Sequence, residues 1–142
     1  LMSDAEIVQQ PCQVFVALAE EGWTQSPATL AAVEHYLGPM FRSSAAPDTL
    51  VLGCTHFPVL AGAIRETIGG AVTLVDSAET TASAVAEALD GVGLKSESGP
   101  SGDHAVRFFA TDSPERFARV GAVFLGRPID PAFVELVDLR AL

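Results

Sequence analysis

The sequence predicts an α/β fold in which helices join the strands of a parallel sheet. Three observations carry that prediction. Short aliphatic runs are each followed within a few residues by a helical segment, and this alternation is the signature of parallel strands with crossover helices. The run Thr49-Leu-Val-Leu-Gly53 has no polar alternation, as expected of a buried parallel strand. The chain of 142 residues is 49% hydrophobic and only 18% charged, which supports a packed core and argues against disorder.

The elements follow in order. Gln13 to Glu21 reads as a short helix with Val14, Phe15, Leu18 and Ala19 on one face and Gly22 as its stop. Pro27 to Met40 reads as a second helix, with Ser26 as N-cap and Pro27 in the first helical position. The strand Thr49–Gly53 runs into Cys54-Thr55-His56 and then a helix from about Pro58 to Ile68. The unit then repeats: a strand from Ala71 to Val75, a turn and N-cap at Asp76-Ser77, and an alanine-rich helix from Ala78 to Leu89. Gly91 to Asp103, rich in Gly and Ser, reads as a flexible connection. Val106 to Ala110 is a further strand, Ser113-Pro114 opens a helix that Gly126 ends, and Phe133 to Leu139 closes the chain as a last strand.

Composition excludes several functions. A net charge of −10, with seven scattered arginines and the single lysine Lys95, disfavours nucleic acid and anionic membrane partners. No stretch reaches the roughly 20 apolar residues of a membrane helix. Leu1 to Gln10 holds Asp4 and Glu6 and does not read as a signal peptide, so the expected location is the cytoplasm, where two cysteines stay reduced. The chain opens at Leu1 without an initiator Met, and the expectation is that its beginning is missing.

In open α/β sheets ligands sit at the carboxyl ends of strands. Three turns qualify: Gly53-Cys54-Thr55-His56, Asp76-Ser77 and Thr111-Asp112-Ser113. Only the first offers a nucleophile or base. Cys54, just past a strand and at a helix start, is where unpaired N–H groups and the helix dipole favour a thiolate. His56 could add positive charge or shuttle a proton, and Gly53 would let the backbone turn tightly. The structural readings stand beside these: a cysteine next to a buried strand is ordinarily a small core hydrophobe, and a lone histidine a cap or surface residue. No dinucleotide or phosphate loop is present. His35, His56 and His104 make no metal-ligand spacing with Cys12 or Cys54, so no metal is expected. Lys95 lies in the flexible connection, which argues against pyridoxal phosphate; the expected chemistry uses no cofactor.

Leu-Val-Leu-Gly-Cys-Thr-His-Phe-Pro-Val-Leu over residues 50–60 closely resembles the second active-site motif of bacterial glutamate racemases. Pro-Cys-Gln-Val-Phe-Val-Ala-Leu-Ala-Glu-Glu-Gly (11–22) is similar to that family's Cys-Pro-x-Phe-x-Pro-Leu-x-Glu segment. Val72 to Thr80, with Val-Asp-Ser-Ala-Glu-Thr, and Phe108 to Ser113 agree in order and spacing with later segments of the same family. The resemblance spans nearly the whole chain. Related aspartate racemases usually carry Glu where this chain has His56, which favours glutamate as substrate.

The resemblance implies two pseudo-symmetric, doubly wound α/β domains with the active site in the cleft between them. Residues 1–77 would be part of the second domain, and residues 78–142 would return to complete the first. Carried over, Cys54 removes the α-proton of L-glutamate, Thr55 and His56 contact substrate, His56 assists the thiol, and Glu20 pairs with His56. Cys12 matches a family cysteine that is not catalytic. The family's other catalytic cysteine, in an Ala-Cys-Asn-Thr segment, and its Asp-Ser-Gly motif have no counterpart in this chain, and Pro11 and Gln13 replace the usual Ala and Pro around Cys12. The expected partners are glutamate and the missing N-terminal half, with a homodimer compatible. The expected function is racemisation of L- to D-glutamate for peptidoglycan synthesis by two thiols, with the chain alone inactive. The alternatives are another amino-acid or hydroxy-acid racemase or decarboxylase of the superfamily, or a remnant that only binds a carboxylate.

Overall fold

The computed structural model describes residues 4–96 and 106–139. The chain divides into two compact units, Leu1–Asp76 and Ser77–Leu142.

In the first unit, α1 (Val14–Glu20) and α2 (Pro27–Phe41) precede β1 (Thr49–Leu52), a one-turn 3-10 helix (Phe57–Leu60), α3 (Ala61–Ile68) and β2 (Thr73–Asp76). The strands β1 and β2 pair in parallel, with Thr49 opposite Thr73 and Leu52 opposite Asp76. Phe15, Val33, Leu60 and Ile64 are fully buried, so one core joins all three helices, the 3-10 turn and the end of β1. The buried polar residue Thr29 is satisfied: its hydroxyl donates to the Trp23 carbonyl, and its N–H donates to the Ser26 side chain at 3.2 Å. Ser26 thus caps α2 with Pro27 behind it, as the sequence indicates.

The end of α1 is fixed just as locally. Gly22 adopts φ +72°, its N–H reaches the Ala19 carbonyl at 3.0 Å, and the Trp23 N–H reaches the Leu18 carbonyl at 2.9 Å. This is the Schellman pattern, which a residue with a Cβ would strain.

In the second unit, α4 (Ser77–Gly91), β3 (Phe108–Ala110), α5 (Pro114–Leu125), a short 3-10 helix (Pro131–Phe133) and β4 (Val134–Leu136) follow. The strands β3 and β4 are again parallel, Phe108 opposite Val134 and Ala110 opposite Leu136. Phe108 packs on Phe117 of α5, ring centroids 5.9 Å apart. On the other face of this ladder Arg107 grips the Glu135 carboxylate with contacts of 2.6 to 3.1 Å and lies 5.0 Å from the centre of the Phe109 ring. Among the described residues only Ala118 and Val134 of this unit are buried. No residue of α4 is buried.

Both ladders are parallel, as strand-helix alternation predicts, but several details differ. Val14 is 45% exposed, because a seven-residue helix turns only Phe15, Leu18 and Ala19 inward. Val51 is 65% exposed, so β1 buries one face and not two; no described helix of its unit covers the other. Residues 57–60 tighten into a 3-10 turn before α3 begins. The second strand lies at Thr73–Asp76 and not Ala71–Val75, because its register carries Asp76 to the rung opposite Leu52; Ser77 then belongs to α4 itself. Asp130 caps the Ala132 N–H at 2.9 Å, which draws Phe133 into a turn and shortens the last strand. Ser113 takes φ +37° and makes no side-chain cap, while Gly126 ends α5 at φ +65°. Residues 97–103 of the expected flexible connection, and His104, lie outside the described residues.

Candidate active site

The carboxyl end of β1 delivers the chain into a tight turn in which the Phe57 N–H bonds the Cys54 carbonyl at 3.2 Å. That turn folds residues 54 and 56 toward each other. The Cys54 Sγ lies 3.9 Å from His56 Nδ1, and the Thr55 Oγ1 lies 3.4 Å from the same nitrogen. On the far side of the imidazole, Nε2 stands 3.4 Å from Glu20 Oε1, with both side chains 29% exposed. The four candidates named from the sequence, Cys54, Thr55, His56 and Glu20, therefore meet in one cluster within the first unit.

The end of the turn and the end of α1 are both anchored on the core. Phe57, the residue after His56, packs edge-on against Phe15 of α1 with centroids 5.4 Å apart. Phe15 packs in the same manner on Tyr36 of α2 at 5.6 Å. Glu20 is the last residue of α1, presented by the helix end that Gly22 and Trp23 tie off. A carboxylate there faces the negative end of the helix dipole, so a cationic imidazole is a favourable neighbour.

An ionised carboxylate only accepts, so the tautomer with hydrogen on Nε2 is the one that complements Glu20, and in it Nδ1 keeps a lone pair. A thiol can give its proton to that lone pair, leaving a thiolate beside an imidazolium that Glu20 balances. Transfer of the proton between sulfur and Nδ1 is the acid-base step this arrangement offers.

The other cysteine has a different character. Cys12 is 7% exposed, its thiol donates toward the Gln10 carbonyl at 3.5 Å, and burial raises its pKa. Its environment favours the protonated thiol, in keeping with a structural role.

Two sequence readings of the turn change. α3 starts at Ala61, so the backbone after His56 is a four-residue 3-10 turn, and the neighbours of the thiol are side chains and not a long helix N-terminus. Gly53 has no positive φ, and a Cβ there would meet nothing within 4 Å. The turn does not require that glycine. Sequence reasoning passed over the Thr55–His56 contact and the Phe15–Phe57 anchor; the latter had a signal in the aromatic residue directly after His56. Asp76, on the rung opposite Leu52, is half-buried at the same strand end. Among the described residues no group of three or more His, Cys, Asp and Glu side chains could hold a metal ion. No helix among them is long and apolar enough to cross a membrane.

Comparison with known proteins adds an independent line. No family model matches the chain. It is 47% identical over 123 residues to a glutamate racemase of Geobacter metallireducens, covering 87% of this chain and 44% of that protein. It is 46% identical over 126 residues to one of Beutenbergia cavernae, covering 84% and 42%. Among solved structures it superposes on the glutamate racemase of Thermus thermophilus in complex with β-chloro-D-alanine at TM-score 0.74 and 36% identity, covering 94% of this chain and 48% of that one. The glutamate racemase of Francisella tularensis in complex with D-glutamate gives TM-score 0.75 at 28% identity, covering 96% and 49%. The chain spans about half the length of the curated relatives it matches.

Proposed function

From the premise that the chain belongs to the glutamate racemase family, we propose that it supplies one of the two acid-base thiols of a cofactor-independent enzyme that interconverts L- and D-glutamate. The observation that carries this reading is the Glu20–His56–Cys54 relay, with contacts of 3.4 and 3.9 Å. Inverting an α-carbon requires a base on one face and an acid on the other. In the forward direction the Cys54 thiolate takes the α-proton of L-glutamate, forming an S–H bond as the Cα–H electron pair moves into the adjoining carboxylate. A second thiol, outside this chain, delivers a proton to the opposite face. His56 holds the proton that Cys54 gives up beforehand, Glu20 orients and charges the imidazole, and Thr55 and His56 contact substrate.

In this reading residues 1–77 are part of the second of two pseudo-symmetric domains, and residues 78–142 return to complete the first. The reading is supported by the half-length match, by the open face at Val51, and by the scarcity of buried residues among those described in the second unit. A parallel sheet is normally covered on both faces. The enzyme acts in the cytoplasm and its D-glutamate serves peptidoglycan synthesis. The missing half is the partner, and the isolated chain is inactive.

A chimera tests this. Fused behind the N-terminal half of the Geobacter metallireducens relative, the chain should convert L- to D-glutamate in a stereospecific assay, whereas the chain alone should not. In the chimera, Cys54→Ala should abolish turnover and His56→Asn should lower it by about 10²–10⁴. Turnover by the chain alone, or an active Cys54→Ala chimera, refutes the assignment.

A further inference from the structure

Two donors crowd one acceptor in the Cys54 turn. Thr55 Oγ1 at 3.4 Å and Cys54 Sγ at 3.9 Å both address His56 Nδ1, while Glu20 occupies the Nε2 side. With Nε2 carrying hydrogen toward the carboxylate, the neutral ring has a single lone pair to offer them. A hydroxyl is a stronger donor than a thiol. Thr55 is exposed in the middle of the turn, so its hydroxyl can swing away by rotation about one bond.

We propose that the Thr55 hydroxyl is a latch: it competes with the Cys54 thiol for the lone pair of His56 Nδ1, and turning it away commits the imidazole to the thiol. With the latch closed, Nδ1 accepts from Thr55 and Cys54 keeps its hydrogen. With it open, the Cys54 S–H bond breaks, its electron pair stays on sulfur, and the proton forms an N–H bond at Nδ1. The product is a thiolate–imidazolium pair beside the Glu20 carboxylate, with no change in total charge. A ligand carboxylate, as an acceptor for the Thr55 hydroxyl, opens the latch by binding. The arrangement shields the resting thiol from oxidation, which acts on the thiolate. Thr55 is thereby a positioning residue that acts through His56. This inference rests on the reading of Cys54 as a base, but it concerns what holds that base in reserve.

The test needs no turnover. The 142-residue chain is treated with iodoacetamide between pH 5.5 and 9, and labelling at Cys54 is followed by peptide mass spectrometry, which separates it from Cys12. The thiolate displaces iodide and forms a thioether, so the rate reports the thiolate fraction. Thr55→Val should speed labelling at pH 7 by about 2–10-fold, the equilibrium worth of one hydrogen bond, and move the pH midpoint downward. Thr55→Ser, which keeps the hydroxyl, should restore the slow profile, and adding His56→Asn to Thr55→Val should remove the gain. Unchanged labelling in Thr55→Val while His56→Asn slows it overturns the latch and leaves the acid-base reading standing. If neither substitution alters labelling, both ideas fall.

Discussion

Phe15→Leu is the most informative single change to the architecture behind the site. The ring is fully buried and makes two edge-to-face contacts, with Tyr36 at 5.6 Å and with Phe57 at 5.4 Å. Each such pair is worth about 0.5–1.5 kcal/mol beyond its area. Leucine keeps the position apolar but leaves a small void, adding about 1 kcal/mol. The expected loss is therefore about 2–4 kcal/mol. Phe57→Leu breaks only one of the two pairs and should cost about half as much. Trp23 is the only tryptophan and lies in the first unit, so urea unfolding followed by its fluorescence reports this core. If Phe15→Leu cost less than about 1 kcal/mol, or no more than Phe57→Leu, the claim that Phe15 clamps α2 to the His56 turn would be wrong.

Two further outcomes follow from groups described above. Thr29→Val retains the shape but strips the Trp23 carbonyl of its buried donor, and should cost about 1–3 kcal/mol in the same urea assay. Cys12 has a raised pKa in the folded chain, so folding favours its protonated form: this contribution is complete below the unfolded-state pKa and is lost as pH rises through the folded one. Unfolding midpoints should therefore fall on the alkaline side of the ordinary thiol pKa, and Cys12→Ala should flatten that fall; equal alkaline slopes in both proteins would contradict it.

What the sequence disclosed was mostly local. Ser26-Pro27, Gly22 and Gly126 mark element ends through backbone chemistry that needs no distant partner, and the structure has all three in those roles. Cys54, Thr55 and His56 are adjacent in the chain, so a turn was enough to gather them. Glu20 lies 36 positions before His56, and only the resemblance suggested the pairing; no periodicity could have done so. The misses are tertiary. Phe57 is drawn against Phe15, which tightens the start of the following helix, and Val51 is aliphatic yet exposed because no described helix of its own unit packs on that face. The shift of β2 came from Asp76, whose polarity reads as a turn although its backbone completes a rung.

The register of β1 with β2 bears on how the protein forms. Thr49 pairs with Thr73, and every rung of that ladder joins residues 24 positions apart. The corresponding separation between β3 and β4 is 26. Loops of this size close at modest entropic cost, and folding rates rise as contacting residues lie nearer along the chain. Chains emerge from the ribosome at about 5–20 residues per second, slowly compared with the closure of such a loop. The segment bearing Cys54, Thr55 and His56 lies inside the first closure, tied off at Asp76. The Cys54 turn is therefore expected to acquire its shape while residues beyond Asp76 are still being synthesised.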